Sequence, residues 1–178
     1  LGKETEGPQI FVVTSSGSDP QQLTQGGPKG TPNSNSEPSF APNGNRIVFI
    51  HTGEHGDEIE TMTTDGSDRT VLGRDDPFRN PSHPSYAPGG RRIAFQATAE
   101  KGGKTNVYTF DPTKGLDLDK VNKGEAEAFE PAYSPNGRTL VFRRGVNLFS
   151  MAPDGSGLEQ LNDIEQQDGS NSSPTWGR

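Results

Sequence analysis

The chain has 178 residues, with 23 glycines, 15 prolines, no cysteine and a formal net charge of −7. The missing cysteines exclude disulfides, thiolate catalysis and cysteine-ligated zinc, the acidic balance argues against general nucleic-acid binding, and no apolar run approaches the ~20 residues of a membrane helix. With 26% hydrophobic residues, the expectation is one domain over 1–178 with many turns and a thin core.

The first apolar run is Gln9-Ile10-Phe11-Val12-Val13, followed by a serine turn (Ser15, Ser16, Ser18 around Gly17) and by Gln22-Leu23-Thr24. This stretch, 1–24, reads as the second half of a unit. Leu1 stands as far before Ile10 as Ile50 stands before Ile59, so the body of that unit's earlier strand falls ahead of Leu1. The unit 37–72 opens on Pro38-Ser39-Phe40-Ala41-Pro42-Asn43-Gly44. It continues through Arg46-Ile47-Val48-Phe49-Ile50 and Glu58-Ile59-Glu60-Thr61-Met62, turns at Asp65-Gly66 and closes at Leu72. The unit 83–121 repeats it with Pro84-Ser85-Tyr86-Ala87-Pro88-Gly89-Gly90, Arg92-Ile93-Ala94-Phe95, Asn106-Val107-Tyr108-Thr109-Phe110 and Val121. The unit 130–161 does so again with Pro131-Ala132-Tyr133-Ser134-Pro135-Asn136-Gly137, Thr139-Leu140-Val141-Phe142, Asn147-Leu148-Phe149-Ser150-Met151, Asp154-Gly155 and Leu161. A further unit, 173–178, starts at Pro174-Thr175-Trp176. The period is roughly 45 residues, the range of four-stranded blade repeats.

Short β-branched and aromatic runs punctuated by Gly and Pro predict four strands per unit. Asn43-Gly44 and Asn136-Gly137 predict primed hairpin turns, in which both central residues take positive φ. A proline just inside each first strand predicts that this strand has a free edge. Units of this kind are blades of an all-β propeller: each must stack on its neighbours, and the repeated aromatic Phe40, Tyr86, Tyr133 and Trp176 is the expected wedge between them.

The repeat resembles the TolB-like (WD-like) β-propeller family. Pro-[Ser/Thr]-aromatic-[Ser/Ala]-Pro-[Asn/Gly]-Gly is followed by an aliphatic-x-Phe strand, a second strand with Asp-Gly, and a closing aliphatic. Ala41 and Ala87 stand where the family pattern has Ser, and Asp111-Pro112 replaces the Asp-Gly turn in the middle unit. The resemblance implies a ring, usually six-bladed, of which this chain would supply about four blades, three complete and two partial. Three closures stay open: a segment of a six-bladed ring, a gapped four-bladed ring, or an arc whose open blade edges self-associate. The resemblance also implies a periplasmic or extracellular, non-catalytic scaffold that binds a protein partner or an extracellular ligand. Related propellers gate the substrates of serine peptidases or act as sugar-acid lyases, and these are the alternatives.

Function is expected on one face. Connections 25–36, 73–82, 122–129 and 162–173, with 51–57 and 97–105, look long, whereas the other face carries tight turns, and long loops on a rigid scaffold are where binding resides. Phe78 and Phe129 fall in this loop set, either as partner anchors or tucked onto the core. His51 and His55 fall in a polar loop, and Asp75-Asp76, Asp117 and Asp119 read as solvated charges. No catalytic motif is present, so no catalytic residue is assigned. The residues before the first-strand prolines, Glu37, His83, Glu130 and Ser173, should form a row at the entrance of the channel. Glu37, His83 and Glu130 have the chemistry to hold a divalent cation, with Ser173 or water completing the shell. They equally suit a cationic side chain of a partner, or hydrogen bonds to the neighbouring blade. No other cofactor is expected.

Overall fold

Among the described residues the alternation of apolar runs and turn residues becomes strands and turns from Phe11 to Gln160, whereas Ser173, Pro174, Thr175 and Trp176 form no strand. The computed structural model describes residues 7–27, 30–31, 33–72, 78–99, 103–113, 118–122, 124, 126–162 and 173–176. Leu1, Asp75-Asp76 and Asp117 lie outside the described residues.

Two short strands, β1 (Phe11–Val12) and β2 (Gln21–Gln22), pair as a half-blade. The first blade is β3 (Ser34–Phe40), β4 (Arg46–Gly53), β5 (Gly56–Thr63) and β6 (Thr70–Leu72). The second is β7 (Arg79–Tyr86), β8 (Ile93–Thr98), β9 (Thr105–Phe110) and β10 (Asp119–Lys120). The third is β11 (Phe129–Tyr133), β12 (Leu140–Arg144), β13 (Asn147–Met151) and β14 (Glu159–Gln160). Every sheet is an antiparallel meander in chain order, so β3, β7 and β11 are edge strands, as their prolines require.

Three expectations are corrected. The first strands begin upstream of the prolines, at Ser34, Arg79 and Phe129, and absorb them by shifting register between Ser36 and Ser39, between Ser82 and Ser85, and between Phe129 and Ala132. The turns at Asn43-Gly44 and Asn136-Gly137 are not primed. Only the glycines take positive φ (71° and 69°). The Gly44 N–H donates to the Ala41 carbonyl, and Asn43 instead uses its side chain to accept the Asn45 N–H at 3.0 Å. His51 does not lie in a loop. β4 and β5 run on to a Gly53–Gly56 pair, so the hairpin closes across Glu54 and His55 alone, and His51 pairs with Glu58.

The fourth strands are short, and after β2, β10 and β14 a side chain continues the pairing one step further. Thr24 Oγ1 accepts the Ile10 N–H at 2.9 Å, Asn122 Oδ1 accepts that of Val107 at 2.7 Å, and Asn162 Oδ1 accepts that of Leu148 at 2.7 Å. In these three units the polar residue after the closing aliphatic thus acts as a strand residue in side-chain form, satisfying a backbone donor that would otherwise go unpaired.

The core lies between blades. Ile10 and Leu23 of the half-blade meet Ile47, Phe49 and Met62 of the first blade. Val48, Ile50 and Ile59 of the first blade meet Phe78, Ile93 and Phe95 of the second. Ala94, Val107 and Val121 of the second meet Tyr133, Leu140 and Phe142 of the third. Phe49, Phe95 and Phe142 hold one register position and are fully buried, each contributing about 1.5–3 kcal/mol of apolar burial. The wedge is uneven. Tyr133 is buried and Tyr86 half-buried, but Phe40 is 56% exposed and Trp176 37%. Tyr86 lies against Arg46 and Tyr133 against Arg92, each on the preceding blade. Among the described residues, no strand contact joins β1–β2 to the third blade, so the described blades form an open arc.

Candidate functional site

The row of pre-proline residues is regular in backbone and unequal in side chain. Glu37, His83, Glu130 and Ser173 all take left-handed backbone, at φ of 54°, 54°, 56° and 46°. A non-glycine residue in this region carries a cost of roughly 1–2 kcal/mol, and its repetition in four units requires a compensating contact. That contact runs from blade to blade. Glu37 Oε2 accepts the backbone N–H of His83 at 2.5 Å, and Glu130 Oε2 accepts that of Ser173. Where the row has His83 instead of a carboxylate, Gln96 supplies the acceptor, its Oε1 taking the Glu130 N–H at 2.6 Å.

Glu37 and His83 form an exposed pair. Their side chains are 36% and 38% exposed, with Oε1 and Nδ1 4.0 Å apart. Glu130 is enclosed (14% exposed) and meets Arg143 at 3.3 Å. No three of the described His, Asp and Glu side chains converge to hold a metal ion. Glu37 and His83 are together, and the Glu130 carboxylate is engaged by Arg143 and by the Ser173 N–H.

The two aromatic candidates part company. Phe78 is a core side chain, 8% exposed, with its ring 5.0 Å from that of Phe95. It has no free face for a partner, because β7 begins at Arg79 and draws its predecessor onto the seam. Phe129 is half-buried under the Arg143 guanidinium, 4.5 Å above its ring.

Gln96 and Arg143 take parts here that the sequence reading did not assign them, although a signal exists. They occupy the position of Ile50, the residue after the buried Phe of each second strand. A polar residue breaking an apolar run at the same step in two units marks a place where the strand end serves its neighbours.

A second polar cluster ties the half-blade to the first blade. Buried Asn35 donates to Gln9 Oε1 at 3.0 Å and accepts from Arg69 at 3.0 Å, and His51 Nδ1 lies 3.2 Å from the same Asn35 oxygen. Arg69 pairs with buried Glu60 and stacks 5.2 Å over Phe49. Glu60 stands where the other blades carry Tyr108 and Phe149.

The loop asymmetry is narrower than the sequence suggested. The second-to-third connections close across Glu54-His55 and Gly145-Val146, and only 99–104 is longer. The length on that face comes from the crossings between blades, of which the stretch after Val121 and before Phe129 is partly described.

No family model and no curated protein matches the chain. Solved structures do. A TolB-type protein from Agrobacterium tumefaciens superposes with a TM-score of 0.72 at 22% identity, over 88% of this chain and 57% of that one. A structure of the nidogen/laminin complex gives 0.68 at 14% identity, again over 88% and 57%. A prolyl endopeptidase gives 0.62 at 13% identity, over 88% of this chain and 26% of that one. The chain therefore spans little more than half the length of the first two. Among the described residues no helix is long and apolar enough to cross a membrane. The stacked four-stranded meanders and these likenesses agree on the architecture: the chain folds as an arc of a TolB-like β-propeller.

Proposed function

We propose that this chain is a non-catalytic binding scaffold that engages a protein partner or an extracellular ligand through the face carrying the inter-blade crossings, in a periplasmic or extracellular setting. The observation that carries this reading is the Glu37–His83 pair. Two partly exposed side chains are held on left-handed backbone within adjacent first strands, the Glu37 carboxylate accepting the His83 backbone N–H. Strained backbone fixed by its surroundings is a common device for presenting a side chain, and a carboxylate beside an imidazole suits a cationic group of a partner. The likeness to a TolB-type protein and to a propeller solved in the nidogen/laminin complex supports the same reading. The likeness to a prolyl endopeptidase supports a second reading, a propeller that gates a peptidase domain.

Photo-crosslinking discriminates faces. A crosslinker placed at His83, Gly124 or Glu127 should capture discrete species from the envelope fraction of the source cell, and one placed at Asp65 or Asn136 on the opposite face should not. Equal capture from both faces would overturn the assignment. The presence of a hydrolase domain in the same gene product would favour the gating reading.

A further inference from the structure

Around the arginine, the two described seams between complete blades share a guanidinium, a threonine and a phenol and differ in the residue that faces the threonine. At the second seam, Arg92 Nη2 donates to Thr109 Oγ1 at 2.7 Å and to Asp119 Oδ2 at 2.5 Å, with Tyr133 of the next blade lying against the guanidinium. At the first seam, Arg46 Nη2 donates to Thr61 Oγ1 at 2.9 Å and to the Asp68 carbonyl at 3.1 Å, with Tyr86 lying against it. Cross-strand register makes Thr70 the counterpart of Asp119, since Thr70 faces Thr61 as Asp119 faces Thr109. The first seam therefore repeats the guanidinium, the threonine and the phenol but has a hydroxyl in place of the carboxylate. Among the described residues, no carboxylate forms an ion pair with Arg46.

The seam is open at this point. A cleft of about 310 Å³ is lined by the polar Arg46, Thr61, Thr70 and Tyr86 and by the apolar Leu72 and Pro112. That volume is at the small end of ligand pockets, and a few convergent polar groups on an apolar wall are their usual make-up.

We propose that this cleft binds a small organic carboxylate, whose charged end takes against Arg46 the place that Asp119 takes against Arg92. The guanidinium offers donors in a planar fork that matches a carboxylate. The Thr61 and Thr70 hydroxyls flank the same spot, and Leu72 with Pro112 covers the apolar body of the ligand. Burial pushes the Tyr86 phenol up from its ordinary range, so it stays a neutral donor beside the incoming anion. The site lies on the short-turn face and is independent of the crossing-loop face proposed above.

Benzoate and benzamide share a shape and differ in charge, so they make the test. In amide-resolved NMR of the whole chain, benzoate should shift the Thr70, Gly90 and Thr113 signals in a saturable way at millimolar concentration, and benzamide should not. Arg46→Gln should weaken benzoate binding about tenfold or more, the worth of a hydrogen bond to a charged group. Thr70→Asp installs the carboxylate found at Asp119 and should abolish binding, whereas Thr70→Ser should keep it. If Arg46→Gln does not fold, Thr70→Asp decides. The proposal is overturned by equal responses to benzoate and benzamide, by no saturable response to benzoate, or by benzoate binding that survives Thr70→Asp.

Discussion

Glu37 Oε2 accepts the backbone N–H of His83 at 2.5 Å, and the two residues hold the same register position in consecutive blades. A side chain in one repeat thus fixes the backbone of the next. Glu37→Ala should cost about 1 kcal/mol, the net worth of one such hydrogen bond, and Glu37→Gln, which keeps an acceptor oxygen, markedly less. Hydrogen exchange at the His83 amide should accelerate in Glu37→Ala and stay slow in Glu37→Gln. Unchanged exchange in both would contradict the latch.

The row also permits a direct check for a divalent cation. Isothermal titration with calcium, manganese and zinc should show no sub-millimolar site that depends jointly on Glu37 and Glu130, because the Glu130 carboxylate is engaged by Arg143 and by the Ser173 N–H. A site lost only in the Glu37→Gln, Glu130→Gln double variant would require the three residues to rearrange.

The uneven wedge makes a paired comparison. Tyr133→Ala removes a buried ring and should cost about 3–5 kcal/mol in urea unfolding. Phe40→Ala removes a 56% exposed ring and should stay within about 0.5 kcal/mol. Similar losses at the two positions would mean that Phe40 is covered in solution, as an arc that self-associates through its open end requires.

Burial pushes the Tyr133 phenol up to about 12, with the Arg92 charge opposing it. A phenol held protonated in the fold contributes stability that is complete below the ordinary value near pH 10 and is lost as pH rises toward 12. The loss should be on the order of 2–3 kcal/mol, at about 1.4 kcal/mol per unit. Alkaline unfolding should therefore begin above pH 10 and be blunted in Tyr133→Phe. A wild type and a variant with the same alkaline midpoint would refute this.

The Asp65 carboxyl is held down to about 2 by the Thr63 hydroxyl, the Ser67 backbone N–H and the Ser67 hydroxyl. Its stabilising effect on the turn is present above pH 3.8 and lost as pH falls through about 2. A carboxyl-carbon NMR titration should place its midpoint well below those of the exposed aspartates, and Ser67→Ala should raise it.

Glu60 is buried, and its charge is matched by Arg69. Arg69→Ala leaves that carboxylate uncompensated and should cost about 2–3 kcal/mol, less than for a fully enclosed pair because the arginine is partly exposed. Replacing Glu60 by Tyr, the residue of the second blade at this register, in the same chain should recover most of the loss. No recovery would show that the Arg69 contacts to Asn35 and Phe49 carry the energy instead.

The repeat by itself determined the strand order, the edge position of β3, β7 and β11, and the location of the core between blades. All three follow from local pattern: apolar runs of strand length, Gly and Pro at fixed steps, and an aromatic that no single sheet can bury. Sequence also placed Glu37, His83, Glu130 and Ser173 at equivalent positions. It did not determine what those residues do, because a carboxylate one repeat away from a backbone N–H is a contact between blades, and local pattern carries no information about which acceptor fills it. Gln96 takes that part at the one step where the row has His83. The same reason put Phe78 in the core rather than on a surface, and left Phe40 exposed while its counterpart Tyr133 is covered. A residue's register is written in its own repeat, but its burial is decided by the neighbouring blade that packs on it.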